Sequence, residues 1–139
     1  MRRDLADPAN CICLNLRRAA RKLSRSYDAA LAPCGLTTGQ FAALLTLKQM
    51  GPTPISELAS AMDVERSALT RNMAVMERSG LVKRMDGEDR RQRIIALSAR
   101  GEMKLKESRP YWQNAQSEMI AKLGEDASQR LLLELSAFR

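Results

Sequence analysis

The side chains of this chain that could do chemistry are three thiols and a crowd of guanidinium groups. Among its 139 residues there is no histidine, so the commonest general base is missing. No glycine-rich phosphate loop and no pair of carboxylates in an apolar setting occurs, which leaves a cysteine as the one nucleophile an enzyme could use. Enzymatic turnover is therefore not expected. The thiols are Cys11, Cys13 and Cys34; the count is odd and lacks disulfide-framework spacing, so reduced thiols are expected. A Cys-x-Cys pair can hold a soft metal such as Cu(I), but without imidazole the usual four-ligand zinc set cannot be filled, and no metal or other cofactor is expected.

The cations are the stronger signal. The net charge is +7, and residues 66–100 hold nine Lys/Arg against four Asp/Glu, whereas residues 101–139 hold six against six. A concentrated basic field is either a solvated face or an attraction for nucleic acid, and charge alone leaves both open. With hydrophobic residues at 45% and charged residues at 28%, the composition is that of an ordinary globular protein, with room for one core. No apolar run approaches the roughly 20 residues needed to cross a bilayer, and MRRDLADPAN lacks the apolar stretch of a secretion signal, so a cytoplasmic protein is expected.

The elements that must position these cations are legible from periodicity and punctuation. Asp7 and Pro8 open a long amphipathic helix with apolar residues at Ile12, Leu16, Ala19, Leu23, Tyr27 and Ala30, ending near Pro33 and Gly35. Thr37 and Gln40 form a capping box for a second helix through about Gln49, with Phe41, Leu44, Leu45 and Leu47 on its apolar face. Thr53 and Pro54 start a third helix over ISELASAM. After a tight turn through Asp63 and Val64, a fourth helix from about Glu65 to Ser79 turns Ala68, Leu69, Met73 and Met76 inward and stops at Gly80. LVKRM and RRQRIIAL predict two strands joined by a turn over DGED. Ser98 caps a long helix from Ala99 to about Lys122, which Pro110 is expected to kink, and a last helix covers about Asp126 to Phe138.

The fold class expected is mainly α with a small β-hairpin wing: a winged helix-turn-helix over residues 37–97, flanked by dimerisation helices over 8–33 and 99–138. The fourth helix is the one dimensioned to enter a major groove. Its inward residues leave Arg66, Ser67, Thr70 and Arg71 outside, suited to base edges and phosphates. Arg90, Arg91 and Arg93 fall on or beside a wing tip able to reach an adjacent minor groove. Two basic elements so placed favour duplex DNA over mere solvation. Leu131, Leu132, Leu133 and Leu135 cannot all face one small core, so the terminal helices are expected to pair with those of a second copy.

The segments ISELASAM, ERSALTRNMAVMERSGLVKR and DGEDRRQRIIALSARG resemble the MarR family of bacterial regulators, from about Asn10 to the C-terminus. The resemblance implies a homodimer on a pseudo-palindromic site, usually a repressor relieved by a small anion, a phenolic compound or an oxidant. It also implies that Asp89 and Arg91 form an Asp-x-Arg pair that shapes the wing tip and lets the arginine contact DNA, while Leu97 and Ser98 lead into the dimer helix.

Within that family the OhrR subgroup senses organic peroxides through a cysteine early in the first helix. Cys13 is placed similarly relative to Tyr27 and the GLT turn, and this marks it as a possible redox sensor. The subgroup's tyrosine four residues after the cysteine is Arg17 here. The alternative is that all three cysteines are small buried hydrophobes. Two positions two apart on a helix point apart, so Cys11 and Cys13 are not expected to bridge. Cys34 lies roughly 30 Å along the helix from Cys13. Tyr27, Tyr111 and Trp112 line a ligand cleft or fill the core.

Overall fold

The structure is a computed structural model describing residues 2–89 and 91–139. Its elements in chain order are α1 (Ile12–Leu31), α2 (Thr38–Met50), β1 (Thr53–Pro54), α3 (Ile55–Met62), α4 (Arg66–Arg78), β2 (Val82–Asp86), β3 (Arg93–Leu97), α5 (Ala99–Leu123) and α6 (Glu125–Leu135). Short 3-10 turns precede α1 (Pro8–Asn10), follow it (Ala32–Cys34) and end the chain (Ser136–Phe138). This is a winged helix-turn-helix with long helices at both ends. No single helix among the described residues is long and apolar enough to cross a membrane.

The first helix is shorter than expected at both ends. Asp7 does cap a turn, accepting from the Ala9 amide at 2.9 Å, but that turn is 3-10. Cys11 then takes non-helical angles (φ −55°, ψ 121°) and becomes the N-cap of α1. Contrary to expectation, Cys11 and Cys13 are therefore not two positions of one helix: only Cys13 is helical. The last helix likewise begins a residue early and tightens into its 3-10 turn at Ser136.

Cap chemistry places α2 and α5 where expected. Thr37 Oγ1 accepts from the Gln40 amide at 3.2 Å while Gln40 Oε1 accepts from the Thr37 amide at 3.0 Å, the reciprocal box that satisfies two helix-end donors. Ser98 Oγ accepts from the Gly101 amide at 3.0 Å and donates to the Gly80 carbonyl at 2.5 Å. α5 runs unbroken through Pro110.

The wing is a sheet of three strands, not a hairpin of two. The order is β1-β3-β2, all antiparallel, with Thr53 opposite Ile95 and Val82 opposite Leu97. Two residues are too short for a periodicity signal, and Pro54 cannot donate to a ladder, so β1 is an edge strand invisible to pattern reading. Gly80, at φ 74°, turns the chain from α4 into β2 in the left-handed region. Gly101 is required by contact: a Cβ there would overlap the Leu81 carbonyl oxygen and crowd Leu97 Cδ1.

The core belongs to the winged helix. Phe41, Leu44, Leu47, Ile55, Leu58, Leu69, Met73, Met76, Val82 and Ile95 are buried together, with Leu31 the one core residue from α1 and none from α6. Ala43 takes the buried position expected of Leu45, which is half exposed, and Ala68 is exposed. The exchange of Ala43 for Leu45 arises because the interior of α2 is apolar nearly all round, so its sequence does not single out a face. None of the three cysteines is buried: Cys13 is exposed, Cys11 and Cys34 intermediate. The reading of them as buried small hydrophobes does not hold within the chain: residues 12–21 of α1 are exposed throughout, and Cys34, in the turn after α1, is only partly covered.

Candidate nucleic-acid interface

The helix-turn-helix is set by local conformation. α3 stops because Asp63 adopts a left-handed backbone (φ 51°), which aspartate tolerates better than most residues, and the Asp63 and Val64 amides bond back to the Ser60 and Ala59 carbonyls at 3.2 and 3.0 Å. α4 then starts with Arg66. Leu69, Met73 and Met76 face the core, leaving Arg66, Ser67 and Arg71 exposed and Thr70 partly so. The Thr70 hydroxyl donates to the Arg66 carbonyl at 2.8 Å, so toward a ligand it can only accept.

The wing is braced against α4. Glu77 accepts from Arg84 Nε at 2.7 Å, joining the last turn of the helix to the middle of β2. At the tip, Asp89 Oδ1 accepts from the Arg91 backbone amide at 3.1 Å, and the Asp89 carbonyl accepts from the Gln92 amide at 2.9 Å. The side-chain pair expected between Asp89 and Arg91 is not formed among the described residues; aspartate shapes the tip through the main chain and leaves the guanidinium uncommitted. Arg90 lies outside the described residues. Arg93 opens β3 opposite Asp86.

Between the two elements lies a cleft of about 230 Å³ lined by Arg66 and Thr70 of α4, Arg91, Gln92 and Arg93 of the wing, Pro54 of β1 and residues 55–57 at the start of α3. Three arginines line it against the single carboxylate of Glu57, whose Oε2 accepts from Thr53 Oγ1 at 3.4 Å. A surface of this charge suits an anionic backbone. The structure thus brings Arg66, Thr70, Arg91 and Arg93 together, and leaves Ser67, Arg71 and Asp89 outside the cleft. Ser56 and Gln92 belong to it and were missed; Gln92 enters with its neighbours Arg91 and Arg93, and the pairing of β1 with β3 sets Ser56, at the start of α3, beside the wing.

A second cleft, about 470 Å³ and largely apolar, opens between α1, α2 and α5 and is lined by Leu23, Tyr27, Phe41, Leu45, Trp112 and Gln116 among others. Phe41 and Trp112 stack with centroids 6.1 Å apart, and Tyr27 Oη donates to Gln116 Oε1 at 2.5 Å. Burial pushes the Tyr27 phenol above its ordinary pKa, so it stays a donor. Tyr111 is half exposed and borders a separate groove beside Tyr27.

The MarR family profile matches residues 36–92. The chain is 40% identical to the Mycobacterium tuberculosis transcriptional regulator MosR, solved in complex with DNA, over 93% of this chain and 98% of that one, with a TM-score of 0.76. It is 29% identical to the HTH-type transcriptional regulator YwoH of Bacillus subtilis over 76% of this chain and 77% of YwoH. Its fold is that of the repressor CouR, solved on a 23-mer DNA duplex (23% identity, 99% of each chain, TM-score 0.87) and with p-coumaroyl-CoA (21% identity, TM-score 0.86). The winged helix, its two basic elements and the near full-length likeness to MosR agree: the chain belongs to the MarR family of DNA-binding transcriptional regulators.

Proposed function

We propose that the protein is a ligand-responsive repressor that acts as a homodimer on a pseudo-palindromic operator, with residues 37–97 reading DNA and residues 8–33 and 99–138 forming the dimer. The observation that carries the reading is the cleft shared by α4 and the wing: Arg66 and Thr70 meet Arg91 and Arg93 there. Ser67 and Arg71 stand on the exposed face of the same helix, and Asp89 holds the tip. The dimer rests on unspent apolar surface: Ile12, Leu132, Leu133 and Phe138 are each at least 60% exposed in the single chain. Burying one such side chain stabilises an assembly by about 1.5–3 kcal/mol. This machinery is for binding and not for turnover.

The ligand reading rests on the cleft of Tyr27, Phe41 and Trp112, whose apolar walls and paired polar groups at Tyr27 and Gln116 suit an aromatic or anionic inducer. CouR, of the same fold, binds an aromatic CoA thioester. The test is gel shift with DNA adjacent to the gene at two salt concentrations, with and without p-coumarate and salicylate. Retention of a shifted band at high salt on that DNA alone, released by an aromatic acid, is expected; equal, salt-abolished binding to every duplex would overturn operator recognition.

A thiol-based peroxide response is the second reading, favoured by the exposure of Cys13 on the first turn of α1. Oxidation there would add polar atoms at a helix that joins the two copies and shift the spacing of the recognition helices. Cys13→Ser should bind DNA yet ignore organic hydroperoxide, with Cys11→Ser and Cys34→Ser still responsive. A wild type that keeps its DNA through hydroperoxide would end this reading.

A further inference from the structure

A second concentration of cations lies away from the recognition cleft. Arg17, Arg18, Arg21, Lys22 and Arg25 are all exposed on α1, and no carboxylate occurs between residues 8 and 27. At 100° per residue the five fall within an arc of about 140°, opposite the apolar line of Leu16, Ala19, Leu23 and Tyr27. None takes part in an ion pair among the described residues. The nearest acid on the helix, Asp28, is committed to Thr38 at 2.7 Å. Lys122 of α5 faces Lys22 and Arg25 across a shallow groove and extends the field to a second helix.

We propose that this face of α1 is a second, sequence-independent contact surface for the backbone of duplex DNA, separate from α4 and the wing. It rests on the reading of the protein as a DNA-binding regulator and goes beyond it. The five cations span roughly 12 Å of helix at about 1.5 Å per residue, a length along which one DNA strand presents about three or four phosphates. A convex, open stripe of this kind matches an extended polyanion, whereas a small anion needs convergent donors in a pocket. A lipid surface fits poorly, because a helix lying on a membrane must offer its apolar face, and Leu23 and Tyr27 already line the cleft with α2 and α5. No α1 residue lines the recognition cleft, so the two surfaces contribute separately.

The experiment measures fluorescence anisotropy of a labelled mixed-sequence duplex against the full-length protein over a range of salt. R17Q/R21Q/R25Q should lower the slope of log affinity against log salt by about two to three, since each phosphate contact contributes roughly 0.9. R17K/R21K/R25K should retain the wild-type slope. K106Q/R109Q/R130Q removes as many charges from exposed sites elsewhere and should leave the slope unchanged. An unaltered slope in R17Q/R21Q/R25Q overturns the proposal. So does an equal fall in K106Q/R109Q/R130Q, which would make the effect one of net charge, or a fall accompanied by loss of the dimer in sedimentation, which would assign the stripe to the partner copy. R66A/R91A probes the recognition cleft alone: if it leaves operator binding intact, that reading fails while the α1 result still stands or falls by its own slope.

Discussion

Asp28 holds Thr38 twice: its Oδ1 accepts from both the backbone amide and the hydroxyl of Thr38, each at 2.7 Å. Because Thr38 is the first residue of α2 and Asp28 lies in the last turn of α1, this contact ties the end of α1 to the start of α2. The carboxylate also sits at the positive end of α2. The two bonds from Thr38 hold the Asp28 carboxyl below its ordinary pKa. A depressed folded value means that the contact stabilises the fold above the unfolded pKa of about 3.9 and that this stabilisation is lost as pH falls through the folded value. Asp28→Asn should cost about 1 kcal/mol at neutral pH, allowing for solvent screening, and flatten the acid limb of a denaturation-versus-pH profile. An unchanged acid limb would remove Asp28 from the joint.

The joint between α4, the wing and α5 is the second point of leverage. Gly101→Ala should destabilise by about 1–3 kcal/mol, as overpacking does, because the new methyl meets the Leu81 carbonyl. Ser98→Ala removes both the α5 cap and the bond to Gly80 and should cost about 1–2 kcal/mol. Urea denaturation checks both; a neutral Gly101→Ala would show that the approach of α5 is looser than described.

Arg71 and Arg91 should differ in kind. Arg71→Ala, on the exposed face of α4, is expected to weaken cognate binding by about 1–3 kcal/mol and random binding much less. Arg91→Ala should weaken both, since a wing arginine reads charge and groove shape. The fold should tolerate Arg91→Ala, because Asp89 holds the tip through the Arg91 amide and not its side chain. Titration of both variants on operator and scrambled duplex decides; equal losses from Arg71→Ala would contradict its role.

Association should fail when the apolar surface of α6 is charged. Leu132→Asp with Leu133→Asp places two carboxylates on side chains 60% and 73% exposed in the single chain, so the subunit fold should survive. Sedimentation should read the 15.5 kDa chain mass for the variant and twice that for wild type. A wild type that sediments as a single chain would contradict the dimer.

Much of this was legible in the sequence because it is written locally. Thr37 and Gln40, Ser98, and Gly80 punctuate helices through contacts a few residues away, and Leu69, Met73 and Met76 repeat at helical spacing. What was not legible depends on non-local packing. β1 is two residues long and exists only because Ile94 and Ile95 lie beside it; with it comes Ser56 of the cleft. The role of Asp89 depends on which donor reaches it, a matter of turn geometry. The α1 stripe was hidden by averaging, since Asp4, Asp7, Glu57, Asp63 and Glu65 offset it in any count over the N-terminal half.

If α4 and the wing read duplex DNA together, once per copy of a dimer, the DNA should carry the trace. Hydroxyl-radical footprinting on the DNA adjacent to the gene tests it most directly. Two protected half-sites about one helical turn or a small multiple of it apart are expected, with minor-groove protection beside each, all lost in R66A/R91A. A single protected patch, or a footprint that R66A/R91A leaves in place, would contradict it.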